Sequence, residues 1–426
     1  MTTPTPQFPS SSANAAVTRP VRVAAALIVL RDGPHGLEVL MLKRAEKEAD
    51  QNSGASVFPG GTLDAQDRAL HALSTGLDDA SASRCLAVAE HGLDYFVAAI
   101  RECFEEAGLL FASGADGRLV ELDAMPPQEL VDLRLAVEDG GEALRKLCTD
   151  RGWRLAADRL AYFSHWLTPL GMPRRFDTRF FVALEPQRQT ARPDGRETVE
   201  HMWLRPADAI DPARGLKLMN VQRRILQQLA TFDSAEACMA YAREAREIER
   251  IMPRIADGPD GRRPVNPGEP AYEELSRIDP DGLVTGRYQL STGLAMRLSP
   301  RILRVTALRG SDLVNSYFIG GDRGDWALID AGQGDEAHAD VLLAAAPGRV
   351  RWTLETSMPT LPHGHRIDLG GCTLRVLRPP EREDAPSSFL LEEEKTVFVG
   401  EADSPIAFDG GEVEWLAPSR GFIRRR

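Results

Sequence analysis

The sequence predicts an α/β (α+β) protein with two folded domains, and three observations carry that reading. Near the N-terminus a β-rich apolar run, Val21 to Leu30, is followed by the turn residues Arg31-Asp32-Gly33-Pro34 and a second strand-like run, Glu38 to Arg44. Between Leu93 and Leu109 the apolar residues recur with helical spacing. Beyond a turn-dense stretch from Gly258 to Pro270, short strand-like segments alternate with glycine turns. A chain of 426 residues that is 43% hydrophobic is long enough for two or three cored domains.

Composition removes several classes of function. A net charge of −12 argues against a nucleic-acid backbone as partner, because such binders carry basic patches. The five cysteines, at 85, 103, 148, 238 and 372, form no CxxC pair, so neither a disulfide framework nor a thiolate zinc site is expected. No window approaches 18 uninterrupted apolar residues, so no membrane span is expected. Residues 1–19, rich in Pro, Ser and Thr, have neither the basic nor the apolar region of a signal peptide and read as a disordered leader. A cytoplasmic setting follows from these features together.

The helix at 93–109 is the most informative element. Leu93, Phe96, Val97, Ile100, Cys103, Phe104 and Ala107 fall within an apolar arc of about 120°. Glu102, Glu105 and Glu106 fall on the opposite face, where like charges at i, i+3 and i+4 repel by a few tenths of a kcal/mol for each close pairing. Gly108 is the residue type that ends a helix in the left-handed conformation. Upstream, Val57-Phe58-Pro59-Gly60-Gly61-Thr62-Leu63-Asp64 places paired glycines where backbone can approach a ligand closely.

Arg101-Glu102-Cys103-Phe104-Glu105-Glu106-Ala107-Gly108-Leu109 resembles the second half of the Nudix box, R-E-U-x-E-E-x-G-U with U apolar, and Val57 to Asp64 resembles its P-G-G opening. The resemblance implies a Nudix α/β/α sandwich in which Glu102, Glu105, Glu106 and the backbone at Gly61 hold Mg²⁺ or Mn²⁺ against a diphosphate. Hard divalent cations prefer carboxylate oxygens and are completed by water and substrate phosphates. Arg101 would orient the acids.

The match departs from the box at one place. The first Glu of the box is replaced by Asp67, and residues 68 to 100 make a spacer of 33 where the family has seven. Loops lengthen cheaply in entropy, so an insertion at about 68–92, with helical stretches and polar breaks, is compatible with the fold. The enlarged box is similar to a Nudix subfamily of coenzyme A diphosphatases found in peroxisomes. That resemblance continues through Ser164 to Pro169, Arg174 to Ala183 and Trp203 to Pro206, covering about residues 20 to 232. Arg175 and Arg179 are substrate-contact candidates, because guanidinium forks suit phosphate oxygens. His165, beside Trp166, reads as a structural histidine. Glu197 and Glu200 stand where several Nudix families place a loop Glu that acts as general base.

After an amphipathic helix at 221–229, residues 234–256 read as a further helix and 258–270 as a linker, so the expected division is 20–232, a connecting segment 233–295, and a second domain 296–426. In the second domain Asn315 to Gly320 and Leu328-Ile329-Asp330-Ala331-Gly332 resemble the opening motifs of a metallo-β-lactamase fold. The zinc motif H-x-H-x-D-H is replaced by a stretch holding His363 and His365. A zinc site needs at least three protein ligands, so these two would require Asp330 or Glu401. The domain is therefore expected to be degenerate.

The resemblance implies that two or three Mg²⁺ neutralise a bridging diphosphate, while Glu200 or one of the box Glu residues takes the proton of the attacking water. The substrate would be a nucleoside diphosphate derivative, with coenzyme A or an acyl-CoA as the subfamily's example. A zinc-dependent activity of the second domain and a non-catalytic nucleotide sensor are the alternative readings. Nudix domains often pair, which leaves a homodimer open.

Overall fold

The apolar run near the N-terminus forms β1 (Val21–Gly33), paired antiparallel with β2 (Gly36–Arg44) across a tight turn. In this computed structural model the described residues are 20–46, 53–137, 141–244, 247–321, 324–332, 336–359, 361–379, 382, 384–400 and 412–426. The expected leader and Glu401 lie outside them. The chain divides into two units, Thr18–Thr168 with Pro173–Ile251, and Pro169–Met172 with Met252–Arg426.

In the first unit the elements continue as β3 (Ser56–Val57), β4 (Gly60–Thr62), a 3₁₀ turn at Asp67–Leu73, α1 (Asp79–Cys85), α2 (Gly92–Ala107), β5 (Ala112–Ser113), α3 (Pro127–Val137), α4 (Gly141–Arg151), β6 (Arg154–Leu155), β7 (Ala161–Leu167), β8 (Arg175–Leu184), β9 (Thr198–Leu204), α5 (Pro206–Ile210), α6 (Asn220–Leu229), α7 (Ala235–Arg243) and β10 (Arg250–Ile251). The main sheet runs β10-β7-β8-β1-β2-β3, with β4 also on β1 and β9 also on β2.

β1 is apolar almost throughout because both faces of the sheet are covered. Ala25, Leu27 and Val29 pack with Phe96, Ile100 and Phe104 of α2, whereas Ala26, Ile28 and Leu30 pack with Ile225, Leu229 and Met239 of α6 and α7. The result is a helix–sheet–helix sandwich with the sheet in the middle. The seven apolar residues that define the arc of α2 are all buried, and Gly108 ends the helix at φ +72° with its N–H on the Phe104 carbonyl.

The insertion folds as the 3₁₀ turn and α1, and it is stitched to α2. Asp79 accepts the backbone N–H groups of His91 and Leu93, each at 3.0 Å, and Ser83 accepts that of Gly92 at 2.9 Å. The insertion thus satisfies N–H groups at the start of α2 that a helix leaves without intrahelical partners. A side chain at Gly92 would drive Cβ to 2.3 Å from the Ser83 nitrogen, so only glycine permits this contact.

The helix expected at 234–256 is shorter than its composition suggests. α7 ends at Arg243, and Arg250–Ile251 pairs with β7 instead. Pro253 disfavours helical geometry at the residue before it, and the β7 edge offers hydrogen bonds that an Ala/Glu/Arg-rich segment can take in extended form.

The second unit comprises β11 (Arg254–Ala256), β12 (Arg263–Val265), α8 (Tyr272–Ile278), β13 (Ala295–Ser299), β14 (Ile302–Arg309), β15 (Asp312–Ile319), β16 (Trp326–Ile329), α9 (Glu336–Ala345), β17 (Val350–Leu354), β18 (Arg366–Asp368), β19 (Thr373–Leu377), β20 (Ser388–Leu391), β21 (Thr396–Val399), β22 (Trp415–Pro418) and β23 (Arg424–Arg425). β13 to β17 form one sheet and β18 to β23 another, each in chain order. Ile302, Tyr317 and Ile329 from the first share a core with Leu374, Phe389 and Phe398 from the second. Leu342 of α9 covers the other face of the first sheet with Phe318, Trp326 and Leu328. Two sheets around a common core with a helix outside is the plan that the metallo-β-lactamase resemblance implies.

Asp79→Ala removes a carboxylate that serves two N–H groups of α2. It is expected to lower unfolding stability by about 1–2 kcal/mol in denaturant titration, with the slope of the transition unchanged.

Candidate active site

α2 presents its acidic face to the glycine turn that precedes the insertion. Gly60 donates its N–H to Glu106 Oε2 at 2.9 Å. Gly61 lies against Glu102, and a Cβ at this position would come within 2.4 Å of Glu102 Oε1. Any larger residue at Gly61 would close the space between turn and helix.

Arg101, only 5% exposed, ties these pieces together. Its Nε donates to Asp67 Oδ1 at 2.8 Å, and Nη2 donates to Asp67 Oδ2 at 3.3 Å and to the Thr62 carbonyl at 3.0 Å. Nη1 reaches Glu102 Oε1 at 2.9 Å and Glu105 Oε2 at 3.2 Å. Asp67 has no solvent exposure and also accepts the Asp64 N–H. The shorter side chain therefore still meets Arg101, because the 3₁₀ turn begins at Asp67 itself.

Burial dominates the electrostatics of the acids. It raises Glu102 above the ordinary carboxylate range against the pull of Arg101, pushes Glu105 up to about 7, and holds Glu106 well above its usual value with a further push from Glu102. Burial raises Asp67 too, although Arg101 opposes it. Like-charged carboxylates kept from water favour a proton or a cation beside them.

The donor set fits a divalent cation: three carboxylates crowd one helix face, and the turn opposite them has no side chain. Among the described residues no three His, Cys, Asp or Glu side chains already converge on one point. Glu102 and Glu105 are turned to Arg101 and Glu106 to Gly60, so binding would exchange those hydrogen bonds for metal contacts.

The two downstream glutamates separate. Glu200 is not in a loop: it pairs with Lys43 within β9, on the side of the sheet shared by Met41 and Met202. That is the face covered by α6 and α7, so Glu200 points away from Glu102, Glu105 and Glu106. The reading of Glu200 as general base is corrected accordingly. The strand starts earlier than its polar sequence suggests, and a register shift at Lys43/Arg44 sets which residues face α2. Thr198, fully buried, donates to the Glu106 carbonyl at 3.0 Å. Glu197, just before the strand, is close enough to add to the upward push on Glu102 and Glu106. Its carboxylate lies 3.9 Å from Arg44 Nη2.

Arg175 and Arg179 both lie on β8 and are buried. Arg175 Nε donates to the Thr168 carbonyl, and Arg179 stacks on the Tyr95 ring of α2 at 4.4 Å. His165 is paired with Asp177. Tyr95, Thr198 and Arg250 escaped the sequence reading, since nothing in a linear pattern distinguishes them from core or surface residues. In the second unit His363 and His365 are exposed, and His363 Nδ1 accepts the Arg378 N–H at 3.0 Å. The Asp330 carboxylate accepts the N–H and hydroxyl of Thr356.

A helix–sheet–helix sandwich with an Arg-locked acidic helix facing a Pro-Gly-Gly turn defines a Nudix hydrolase. The NUDT19 Nudix domain family matches residues 77–218. Acyl-coenzyme A diphosphatase NUDT19 of Homo sapiens is 30% identical over 281 residues, spanning 57% of this chain and 74% of the relative. Its Gallus gallus counterpart is 27% identical over 300 residues, 61% of this chain and 78% of the relative. A NUDIX hydrolase from Alicyclobacillus acidocaldarius, of known structure, is 27% identical and covers 52% of this chain and 96% of its own, with a TM-score of 0.44. The chain belongs to the NUDT19 family of Nudix hydrolases, enzymes acting on diphosphate bonds. Among the described residues no helix is long and apolar enough to cross a membrane.

Glu105, raised to about 7 in the fold, binds its proton more tightly folded than unfolded. Its contribution to stability is present below pH 4.5 and lost as pH rises through 7. Metal-free protein is thus expected to lose several degrees of Tm between pH 5 and pH 8, and millimolar Mg²⁺ to raise Tm more at pH 8 than at pH 5. Equal Mg²⁺ shifts at both values would contradict this.

Proposed function

We propose that this chain uses Mg²⁺ or Mn²⁺ to hydrolyse the diphosphate linkage of coenzyme A or an acyl-CoA, with Glu102, Glu105, Glu106 and the Gly61 backbone as the metal-holding set. The observation that carries the reading is the Arg101–Asp67 lock, which keeps one buried and two half-buried carboxylates opposite a turn of two glycines. The substrate class is supported by the relatives named acyl-coenzyme A diphosphatase.

Glu102, Glu105, Glu106 and the Gly61 backbone would hold the divalent cation, which would supply charge neutralisation for the diphosphate and a more acidic attacking water. Arg101 holds Glu102 and Glu105 in place and does not touch substrate. Glu106 is fixed from both ends, by Gly60 on its carboxylate and Thr198 on its carbonyl. Glu197, more than half exposed and on the α2 side, is the carboxylate we assign to accept the water proton in place of Glu200. The products from coenzyme A are phosphopantetheine and adenosine 3′,5′-bisphosphate.

Glu106→Gln or Glu105→Gln is expected to lower kcat by about 100-fold or more with the fold intact. Product chromatography with Mg²⁺ present measures it; near wild-type rates would sink the mechanism. Glu197→Gln is expected to cost about 10²-fold and Glu200→Gln less than about threefold, and the reverse order would return the base to Glu200.

A further inference from the structure

The last turn of α2 is fastened by groups from beyond the helix. A helix leaves its final four carbonyls without intrahelical partners. In α2 each of the four has a donor: the Gly108 N–H for Phe104 at 3.0 Å, Arg134 Nη2 for Glu105 at 2.9 Å, the Thr198 hydroxyl for Glu106 at 3.0 Å and the Arg192 N–H for Ala107 at 2.7 Å. Arg192 and Thr198 stand at the two ends of one short segment, residues 192–198, and that segment carries Glu197.

One side chain shapes the segment from within. Asp194 Oδ1 accepts the N–H groups of Arg196 at 2.6 Å, Glu197 at 2.9 Å and Thr198 at 2.9 Å. An aspartate that gathers the N–H groups of the residues after it closes a tight turn. Gly195, at φ +77°, supplies the left-handed step of that turn, and its N–H reaches the Thr198 carbonyl at 2.8 Å. The Thr198 hydroxyl, while donating to Glu106, accepts the Asp194 N–H at 3.3 Å. Glu197 is thus held through both halves of its backbone, its N–H by Asp194 and its carbonyl by the Ala45 N–H at 2.8 Å. Its side chain, more than half exposed, projects from this fixed point.

We infer that Asp194 is a positioning residue for the hydrolysis: its carboxylate shapes the turn that fixes Glu197 beside the acidic face of α2, and it acts on the reaction only through Glu197. The inference rests on the assignment of Glu197 as proton acceptor above. A general base must stay within hydrogen-bond reach of the proton it takes, and a misplacement of about 1 Å can cost on the order of 10²-fold in rate. The segment is bonded at both ends to the carbonyls of Glu106 and Ala107, so Glu197 keeps its place relative to the metal-holding carboxylates when that turn of α2 shifts. Without the Asp194 carboxylate three N–H groups lose their acceptor, and water competes for each of them. Glu197 then samples positions from which the attacking water is out of reach.

The test is a double-substitution cycle on the full chain with coenzyme A and Mg²⁺. Asp194→Ala is expected to lower kcat by about 30-fold or more with KM within about twofold of wild type. Asp194→Asn, whose amide oxygen accepts the same N–H groups, is expected to keep kcat within about threefold. Added to Glu197→Gln, Asp194→Ala is expected to slow turnover by less than about a further twofold, because the carboxylate it positions is already gone. A full additional loss in the double variant, or an Asp194→Asn as slow as Asp194→Ala, would overturn the inference. So would Asp194→Ala at the wild-type rate beside a slow Glu197→Gln, which leaves the base assignment standing; a fast Glu197→Gln removes both. Amide hydrogen exchange reads the turn without turnover: exchange at Arg196, Glu197 and Thr198 is expected to quicken at least about tenfold in Asp194→Ala and to stay slow in Asp194→Asn. Unchanged exchange in Asp194→Ala overturns the inference alone. If the wild type cleaves no coenzyme A, the diphosphatase reading fails and the inference with it.

Discussion

A buried arginine surrounded by carboxylates is the constraint on which the catalytic unit depends. Each nitrogen of Arg101 is engaged, by Asp67, Thr62, Glu102 or Glu105. The acids on α2 would repel one another in a low-dielectric setting without it, and Asp67 would be an uncompensated buried charge. Breaking a buried pair by removing one partner typically costs 3–5 kcal/mol. The same guanidinium joins the end of the glycine strand and the start of the insertion to a helix residue 34 positions beyond Asp67. Chemistry and folding therefore share one residue, so a loss of activity on changing Arg101 would say little about either alone.

The insertion is part of this construction. Its Asp79 and Ser83 close the start of α2, and Arg68 and His71 meet Asp94 on the first turn of the helix. A long spacer between loop and helix is tolerated because it folds back on the helix that it precedes. The enlarged box behaves as a single packed unit whose two motif-bearing ends are held by the material between them.

Most of this was legible in the sequence where side-chain periodicity or motif spacing had a local meaning. The arc of α2, its end at Gly108 and the β1–β2 hairpin followed from local pattern, since burial of one face dictates which residues are apolar. Position alone put Asp67 at the first Glu of the box, and the 3₁₀ turn that starts there is what lets its shorter side chain meet Arg101. What failed depended on pairing between distant strands. Glu200 was read as a loop residue because a polar Thr-Val-Glu-His segment gives weak strand signal, and only its pairing with β2 decides which face it takes. The segment at 250–251 was read as helix because composition outweighed an edge strand that exists only through β7. The meeting of His165, Asp177, Arg179 and Arg250 is invisible in sequence, because β7, β8 and β10 share nothing until the sheet forms.

Strand register also carries folding accuracy. Side chains alternate across a strand, so a slip of β8 by one residue against β1 would turn Arg179 into the core on the α6 side and move Phe180 out of it. The error would bury a guanidinium away from the Tyr95 ring and unpack an aromatic ring in one step. The buried charges on β8 thus penalise wrong pairing, as its apolar residues reward the right one.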